Sequence, residues 1–570
     1  MKTRFTTRLL AGAAFGALAF ATSAAAHDGV HHGPAKPAAV AAAPAPDVPL
    51  FDTLGSHGYR VSTTNPLAQR YFDQGLRWTW AFNHSAALQS FRAGQAIDPT
   101  CAMCFWGEAF VLGPNINAPM EPEAVKPALA ALRRAQALAA RAAPRERGLI
   151  EALSARYSDA PGADQAALNE AYAAKMTALA ERMPDDDEIA TLAVDAVMNV
   201  TPWDYWLDGG ITPKPVTERM IATLERVLAR NPDHPGAIHL YIHVVEASTS
   251  PERAEPHADR LASLMPGAGH IVHMPAHIYQ RVGRWRDSLE TNRKAVAADE
   301  AFFRRVGQEP GKDGPALYSD GYYPHNLHFL MTSAQMAGDV AAIQEAAAKL
   351  DTLVSPRMAR EVAWLQPIKA ATYFAQAQFG APEAVLALPD PGGELPYVRA
   401  AWHYARGVAH AARGEAASAG REAGSIDAIA SGADFANEEA QGLPARKLLE
   451  LASLVVRGRI AQQAGDLAEA ARLLGKAAEI EDGIAYMEPA YWYYPVRQTL
   501  GAVHLAAGDL DAAEAAFAHA LKQTPNNGWA LWGLRETHLR AGDAAAAEEV
   551  GARLKAAWHG DPGILTLDRL

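Results

Sequence analysis

From about Phe51 to the C-terminus, apolar positions recur with the period of a helix that buries one face. Polar residues fill the opposite face of each segment. Short breaks made of Gly, Pro and Asp separate one segment from the next. The pattern predicts an all-α protein built from amphipathic helices.

Small and aromatic residues stand at offsets that repeat along the chain. The first example comprises Gly75, Trp78, Ala87, Phe91 and Pro99. The same offsets return near the other end, in the stretch that contains Gly501, His504, Ala513, Phe517, Ala520 and Pro525. Small residues allow two antiparallel helices to approach closely, and the aromatic ring fills the gap to the next pair. One helix pair cannot bury its apolar face alone, so such pairs stack.

These offsets resemble the tetratricopeptide repeat family over most of residues 70 to 560. The Gly-Asp dipeptides at 508 and 542 lie about one repeat, roughly 34 residues, apart. The resemblance implies an α-solenoid of stacked helix-turn-helix units with a concave groove that binds a protein, a peptide or a small molecule. The turn glycines are unevenly spaced in the middle of the chain, which predicts longer helices or insertions there. We expect two arrays, residues 51–380 and 381–570.

The N-terminus has the three parts of a cleavable signal peptide. Positive charges come first, an apolar run from Leu9 to about Phe20 follows, and three alanines end at residue 26. The apolar run is shorter than the roughly 20 residues that a membrane span needs. Residues 1–26 are therefore predicted to be a signal peptide, and the Ala-, Pro- and His-rich residues 27–50 a disordered linker. We expect the mature protein to be soluble and periplasmic or secreted, without a membrane span.

The mature chain is acidic. Removing residues 1–26 takes away three positive charges and no negative ones, so the formal charge changes from −12 to −15. Nucleic-acid binding needs clustered Lys and Arg, and no such cluster is present. Nucleic acid is therefore excluded as an expected partner.

A histidine motif combines two imidazoles with a carboxylate. His239, His243 and Glu246 are spaced at i, i+4 and i+7, which places all three on one face of a helix. Imidazole is the commonest ligand for zinc, copper and iron in proteins. Two histidines with one carboxylate suit a metal ion that keeps positions open for a ligand.

Two further histidine motifs follow within a hundred residues. Pro275 is expected to open a helix, with one histidine in its first turn. The motifs contain His270, His273 and His277, and then His325 and His328. Stacked repeats would bring the three motifs to one inner surface, where they would hold copper, zinc or iron. The alternative is that each histidine only packs or hydrogen-bonds within a crowded helix junction.

Two other groups of residues are candidates. Cys101 and Cys104 would form a disulfide or, with nearby His84 and Met103, bind a soft metal such as copper; a structural disulfide or plain packing is favoured. Aromatic and acidic side chains are candidates to line the ligand groove, although the rings would also serve to fill gaps between helices. The groove candidates are Trp203, Asp204, Trp206, Tyr322 and Tyr323.

Three functions are consistent with the sequence. The leading hypothesis is an exported binding protein whose groove holds a ligand or partner and whose middle repeats carry a histidine-lined transition-metal site. The second is a metal-dependent oxidase or hydrolase on the same scaffold, and the third is a metal-free adaptor for envelope assembly. The sequence has no Ser-His-Asp signature, phosphate-binding glycine loop or dinucleotide fingerprint.

Overall fold

The computed structural model describes residues 47–311 and 317–570. The predicted signal peptide and residues 27–46 of the predicted linker lie outside the described residues. Residues Ala45–Leu570 form one compact unit. The division of the repeats near residue 380 stays a prediction.

Helices dominate the first part of the described chain. They are α1 (Pro66–Trp80), α2 (His84–Ile97), α3 (Ala102–Val111), α4 (Val125–Leu138), α5 (Pro144–Leu153), α6 (Gln165–Arg182), α7 (Asp187–Met198) and α8 (Pro215–Arg230). Between α7 and α8, strands β1 (Trp206–Leu207) and β2 (Thr212–Pro213) form a short antiparallel ladder that pairs Trp206 with Pro213.

The middle part contains the histidine motifs. Its helices are α9 (Pro235–Val245), α10 (Glu255–Leu264), α11 (Gly269–His273), α12 (Pro275–Val282), α13 (Trp285–Val306), α14 (Tyr323–Ala337), α15 (Val340–Leu353), α16 (Pro356–Glu361) and α17 (Leu365–Phe379). A π-helical turn at Tyr318–Tyr322 leads into α14. The 22-residue α13 and the break between α11 and α12 agree with the irregular middle repeats that the sequence predicts.

The last part returns to regular helix pairs. Its helices are α18 (Pro382–Leu386), α19 (Pro396–Ala412), α20 (Ala416–Gly432), α21 (Ala436–Ala440), α22 (Ala445–Gln463), α23 (Leu467–Asp482), α24 (Val496–Ala507), α25 (Leu510–Gln523), α26 (Gly528–Ala541) and α27 (Ala544–Ala557). Short 3₁₀ helices occur at Asp52–Leu54, Pro122–Ala124, Ala139–Arg141, Asp208–Gly210, Pro251–Ala254 and Pro562–Ile564.

The repeat signature has the packing role that the sequence predicts. A Cβ placed on Gly75 of α1 would lie 2.6 Å from the ring of Phe91 in α2, and one on Gly107 of α3 would lie 2.5 Å from the same ring. Phe517 of α25 is enclosed in the same way by glycines of α24 and α26. The all-α solenoid predicted from these offsets is confirmed.

The Gly-Asp dipeptides make the turns within a pair. Gly508 and Gly542 both have φ of 80°, a left-handed conformation that ends a helix at little steric cost. The next residue then starts the following helix, because the side chains of Asp509 and Asp543 accept hydrogen bonds from the backbone three residues on. Two adjacent residues therefore specify both the end and the start of a helix.

The C-terminal repeats pack on the middle of the chain. The indole of Trp285 at the start of α13 donates to the carbonyl of Pro525 at 2.7 Å, and Trp529 in α26 donates to the carbonyl of Gln335 at 2.9 Å. These contacts hold α26 and the turn before it against α13 and α14. Among the described helices, none combines the length and apolar character that crossing a membrane requires.

Candidate metal centre

Helix α9 carries the first histidine motif on its buried side. His239 and His243 lie one turn apart with ring centres separated by 4.9 Å, and Glu246 follows at the C-terminal cap. All three are at most 2% exposed. The shared face predicted from the i, i+4, i+7 spacing is present in the structure.

Helices α11, α12 and α14 supply the other histidines. Pro275 opens α12 as expected, so His270 and His273 lie before the break and His277 lies in the first turn after it. His325 comes from the first turn of α14 and is half-buried.

The imidazoles form two adjacent sets of three. The first set consists of His239, His243 and His270, and the second set of His273, His277 and His325. Within each set, one possible ligand atom from each residue lies within 4.8 Å of the others. The two sets adjoin, because the rings of His243 and His277 have centres 5.5 Å apart. The structure therefore brings together six of the seven predicted histidines.

Four imidazoles are fixed through Nδ1. In His239 this atom donates to the backbone carbonyl of Trp80 at 2.6 Å. In His273 it donates to Oδ1 of Asn292, also at 2.6 Å, and the Asn292 amide nitrogen donates to the carbonyl of Ser288. A backbone carbonyl can only accept, so the tautomer of His239 is set, and the amide orientation sets that of His273.

Glu246 anchors the other two of these four imidazoles, those of His243 and His277. Its Oε1 accepts from Nδ1 of His243 and its Oε2 accepts from Nδ1 of His277, both at 2.7 Å. Tyr486 donates to the same Oε2 at 3.0 Å, and Glu488 contacts Nδ1 of His277 at 3.0 Å. The structure thus places the predicted ligand Glu246 behind two imidazoles, where it joins the two sets.

The Nε2 atoms face the interior of the cluster. Those of His239 and His270 are 3.2 Å apart, and those of His273 and His277 are 2.8 Å apart. Nε2 of His243 is buried without a hydrogen-bond partner, as is Nδ1 of His270. An imidazole that donates through Nδ1 presents the lone pair of Nε2 when it is neutral, and that lone pair is what a metal ion binds.

Burial keeps most of these rings neutral. It lowers the pKa of His243 to about 3, and the positive charge of His277 adds to the effect. Burial likewise holds the pKa well below the usual value in His239, His270, His273 and His325. Neutral imidazoles are the form that coordinates a metal.

His277 is the exception in the cluster. Burial alone would lower its pKa, but the carboxylates of Glu246 and Glu488 raise it to about 10. Burial raises the pKa of Glu488 to about 7, helped by repulsion from Glu246. For Glu246 burial also acts to raise the pKa, but attraction to His277 leaves it below its usual value. In the metal-free protein His277 is therefore a cation that donates to His273 as well as to Glu246.

Two strained aromatic residues cover the first set. Phe82 has φ of 54° and its ring centre lies 4.4 Å from that of His239. Trp203 has φ of 66°, is 37% exposed and meets the ring of His243 edge-on at 5.1 Å. Bulky residues adopt positive φ at a cost and do so most often at functional sites. Predicted groove residue Tyr322 joins them, with its ring 4.5 Å from that of His270.

A cavity of about 260 Å³ adjoins the second set. Its wall includes His277, Phe329, Met336, Tyr486, Glu488 and Trp492. The wall is mostly apolar and aromatic and also contains the imidazole of His277, the guanidinium of Arg281 and the carboxylates of Glu481 and Glu488, a composition that suits a small-molecule site.

Four predicted site residues lie elsewhere. Nε2 of His328 bonds the hydroxyl of Tyr493 at 2.5 Å, so this histidine faces a different neighbour from His325. The three groove candidates that do not reach the cluster each have another partner: Asp204 pairs with Lys214, Trp206 donates to the carbonyl of Val244, and Tyr323 donates to Glu300.

The two cysteines are joined. Cys101 and Cys104 form a disulfide at the start of α3, where both are buried. Cys101 is the N-cap of the helix and its sulfur accepts from the backbone nitrogen of Cys104. Of the alternatives left open by the sequence, the structure contains the disulfide.

Sequence analysis missed the residues that hold the imidazoles in place. Trp80, Tyr486 and Glu488 come from distant segments, and no local spacing connects them with the histidines. Asn292 could have been singled out from the sequence. It follows Ser288 by one helical turn on the buried side of α13, where polar residues are unusual.

A further group lies apart from the cluster. Nε2 of His57 and Nε2 of His234 contact Oε2 of Glu188 at 3.0 and 3.2 Å, and the Trp80 indole donates to the other carboxylate oxygen at 2.9 Å. Because the carboxylate oxygens are already engaged, this group acts as a polar link between the segment before α1 and helices α7 and α9.

Comparison with known proteins supports the repeat assignment at the C-terminal end. The tetratricopeptide repeat profile matches residues 504–567, which include α25, α26 and α27. No curated protein gives a match.

Several solved helical-repeat structures are similar in outline. A human IFIT1 dimer with m7Gppp-AAAA is 14% identical, with 80% of this chain and 90% of that chain covered and a TM-score of 0.33. Yeast Tom70 is 11% identical, with coverage of 86% and 92% and a TM-score of 0.24. The tetratricopeptide repeat domain of P58(IPK) is 12% identical, with coverage of 61% and 91% and a TM-score of 0.20.

The profile match and the packing of helix pairs around Phe91 and Phe517 lead to one conclusion. Residues 504–567 match the tetratricopeptide repeat family, and the described chain folds as an all-α solenoid of stacked helix pairs.

Proposed function

We propose that this protein is an exported binding protein that holds a transition-metal ion in its histidine cluster. One observation carries the proposal: four buried imidazoles are anchored through Nδ1, and they belong to two sets whose ring nitrogens lie close together. Metal-binding histidines in proteins are held in this way, with the second ring nitrogen bonded to a carbonyl or carboxylate.

The spacing of the nitrogens supports a metal. Two nitrogens bound to one ion at roughly 2.0–2.1 Å in tetrahedral geometry lie roughly 3.3 Å apart. The 3.2 Å between Nε2 of His239 and Nε2 of His270 is close to this value. Nε2 of His243 is buried and has no hydrogen-bond partner. Copper, zinc and iron all accept imidazole ligands of this kind.

The repeat scaffold and the disulfide support the rest of the proposal. Stacked helix pairs form extended surfaces that bind proteins or peptides. Trp203 is a large aromatic side chain that is partly exposed beside the cluster, as is common at recognition surfaces. A disulfide between Cys101 and Cys104 fits an oxidising compartment, in agreement with the signal peptide predicted from the sequence.

A metal-dependent oxidase or hydrolase is the second candidate. The favouring observation is the cavity of about 260 Å³ whose wall includes His277. An ion held by three imidazoles keeps a coordination position for a substrate or water, as catalytic sites do. Turnover by the metal-loaded protein, absent from the metal-free protein, would distinguish this candidate from a binding protein.

Metal analysis of the purified protein tests the proposal. We expect copper, zinc or iron in at least stoichiometric amount after incubation with the metal chloride and removal of free ion by gel filtration. His243→Ala is expected to lower the metal affinity of the set that contains it at least tenfold in competition with a chelator, since it removes a buried ligand.

His519→Ala is the matched control, because this histidine is 41% exposed and lies in α25, away from the cluster. It should bind metal like the parent protein. A folded parent protein that takes up none of the three metals would overturn the proposal.

A further inference from the structure

We infer that the histidine cluster is a dinuclear centre, in which each set of three imidazoles holds its own ion and Glu246 connects the two. This inference rests on the proposed metal-binding function and adds the number of ions and their division between the sets.

The geometry favours two ions over one. Nitrogens bound to a single ion at roughly 2.0–2.1 Å cannot be more than roughly 4.2 Å apart. Each set has its three ligand atoms within 4.8 Å of one another, so a small inward shift is enough for three bonds to one ion. The six imidazoles exceed the four ligands that zinc usually takes, and they divide into two compact groups instead of one.

The two sets are built alike. Each contains one imidazole anchored on a neutral oxygen, which is Trp80 O for His239 and Asn292 Oδ1 for His273. A second imidazole of each set is anchored on Glu246, through Oε1 for one set and Oε2 for the other. A third imidazole completes each set. If the protein bound a single ion, one of the two sets would have its anchored imidazoles but no ion to coordinate.

The third member of each set has no anchor of this kind. His270 has an unpartnered buried Nδ1, and His325 is half-buried at the start of α14. No hydrogen bond of this kind holds either ring against the inward shift that three bonds to an ion require.

The surrounding charge is suited to two cations. Two divalent ions in adjacent sets repel each other, and this repulsion must be offset nearby. Glu246 lies behind both sets with no exposed surface, and Glu488 lies 3.0 Å from Nδ1 of His277. Because the Glu246 carboxylate accepts a hydrogen bond from one ligand of each ion, its negative charge stabilises both ions.

Paired ions also leave room for a small bridging ligand. Two-metal sites in proteins place the ions roughly 3.5–4 Å apart and hold one ligand between them. The rings of the two sets approach to 5.5 Å at His243 and His277, and to 6.0 Å at His270 and His273. Three protein nitrogens per ion leave positions for such a ligand on both ions.

Metal counting with one variant in each set tests the inference. We expect two Cu(II) or two Zn(II) per chain in the full-length protein loaded with the metal chloride. His243→Gln in the first set and His325→Gln in the second should each reduce the count from two to one, and the double variant should bind none tightly. Thermal unfolding of the metal-free variants verifies that each remains folded, and His243→Phe and His325→Phe provide replacements if either glutamine variant does not.

Electron paramagnetic resonance of the Cu(II) form gives a second readout. Two adjacent Cu(II) ions interact magnetically, so the integrated signal of the parent protein should be well below two spins per chain. Each one-ion variant should recover close to one full spin, which a merely structural role of His325 would not produce.

The outcomes separate the two proposals. One ion per chain, lost in both single variants, would overturn the dinuclear centre and leave the proposed metal-binding function standing. Two ions whose spins do not interact would also overturn it. Absence of bound metal in the folded parent protein would overturn both.

Discussion

Glu246→Ala is expected to lower the free energy of unfolding of the metal-free protein by about 3–5 kcal/mol, the usual cost of removing one partner from a buried ion pair. Glu246 has no exposed surface, and its carboxylate accepts from His243, His277 and Tyr486. Without it the cation of His277 keeps only Glu488 as a neighbouring negative charge. Urea unfolding followed by circular dichroism measures the effect.

The same variant should weaken metal binding by about 10–100-fold, because two imidazoles lose the acceptor that orients them. Competition with a chelator of known affinity measures this change. Glu252→Ala is the control, since this carboxylate is exposed in the short helix after α9 and its loss should change stability by no more than about 0.5 kcal/mol. Equal stability and equal metal affinity for Glu246→Ala and the parent would show that Glu246 does not organise the cluster.

Phe91→Ala is expected to destabilise the N-terminal repeats by about 3–5 kcal/mol, the usual cost of removing a buried phenylalanine ring. The ring has no exposed surface and packs against the backbone of both Gly75 and Gly107, so three helices meet on it. Neither glycine has a side chain that could fill the space left behind. Urea unfolding again provides the measurement.

Two comparisons make the result specific to this packing. Leu539→Ala removes an apolar side chain that is 45% exposed, and it should have little effect. Gly107→Ala should cost about 1–3 kcal/mol by overpacking, and less when Phe91 is already leucine, because the crowding ring is gone. Additive effects of Gly107→Ala and Phe91→Leu would contradict direct contact between the two positions.

The fold could be predicted from the sequence because its rules are local. The offset from Gly75 to Phe91 lies within one helix pair, so the residues that touch are also close in sequence. The turns at Gly508 and Gly542 need a residue with left-handed backbone followed by a residue that caps the next helix. A Gly-Asp pair meets both requirements. Between α9 and α14 the repeat offsets are less regular. For this part the sequence predicted longer helices or insertions but not the bounds of the helices.

The candidate site was only partly predictable. The spacing of His239 and His243 fixes their common face, and the proline before His277 fixes a helix start, so both could be derived from local geometry. The division into two sets depends on how α9 packs against α11 and α12, which no spacing encodes. His328 illustrates the limit: it lies three residues after His325, yet the tertiary neighbour Tyr493 determines its environment.

The bond from Tyr486 to Glu246 spans 240 residues of chain. Since ribosomes make proteins from the N-terminus, a growing chain that has reached only the end of α23 already contains every imidazole of the cluster. It lacks the segment with Tyr486 and Glu488 that covers Glu246 and His277. A chain that emerges N-terminus first therefore passes through an interval in which this side of the cluster is uncovered, and emergence of the last repeats closes it.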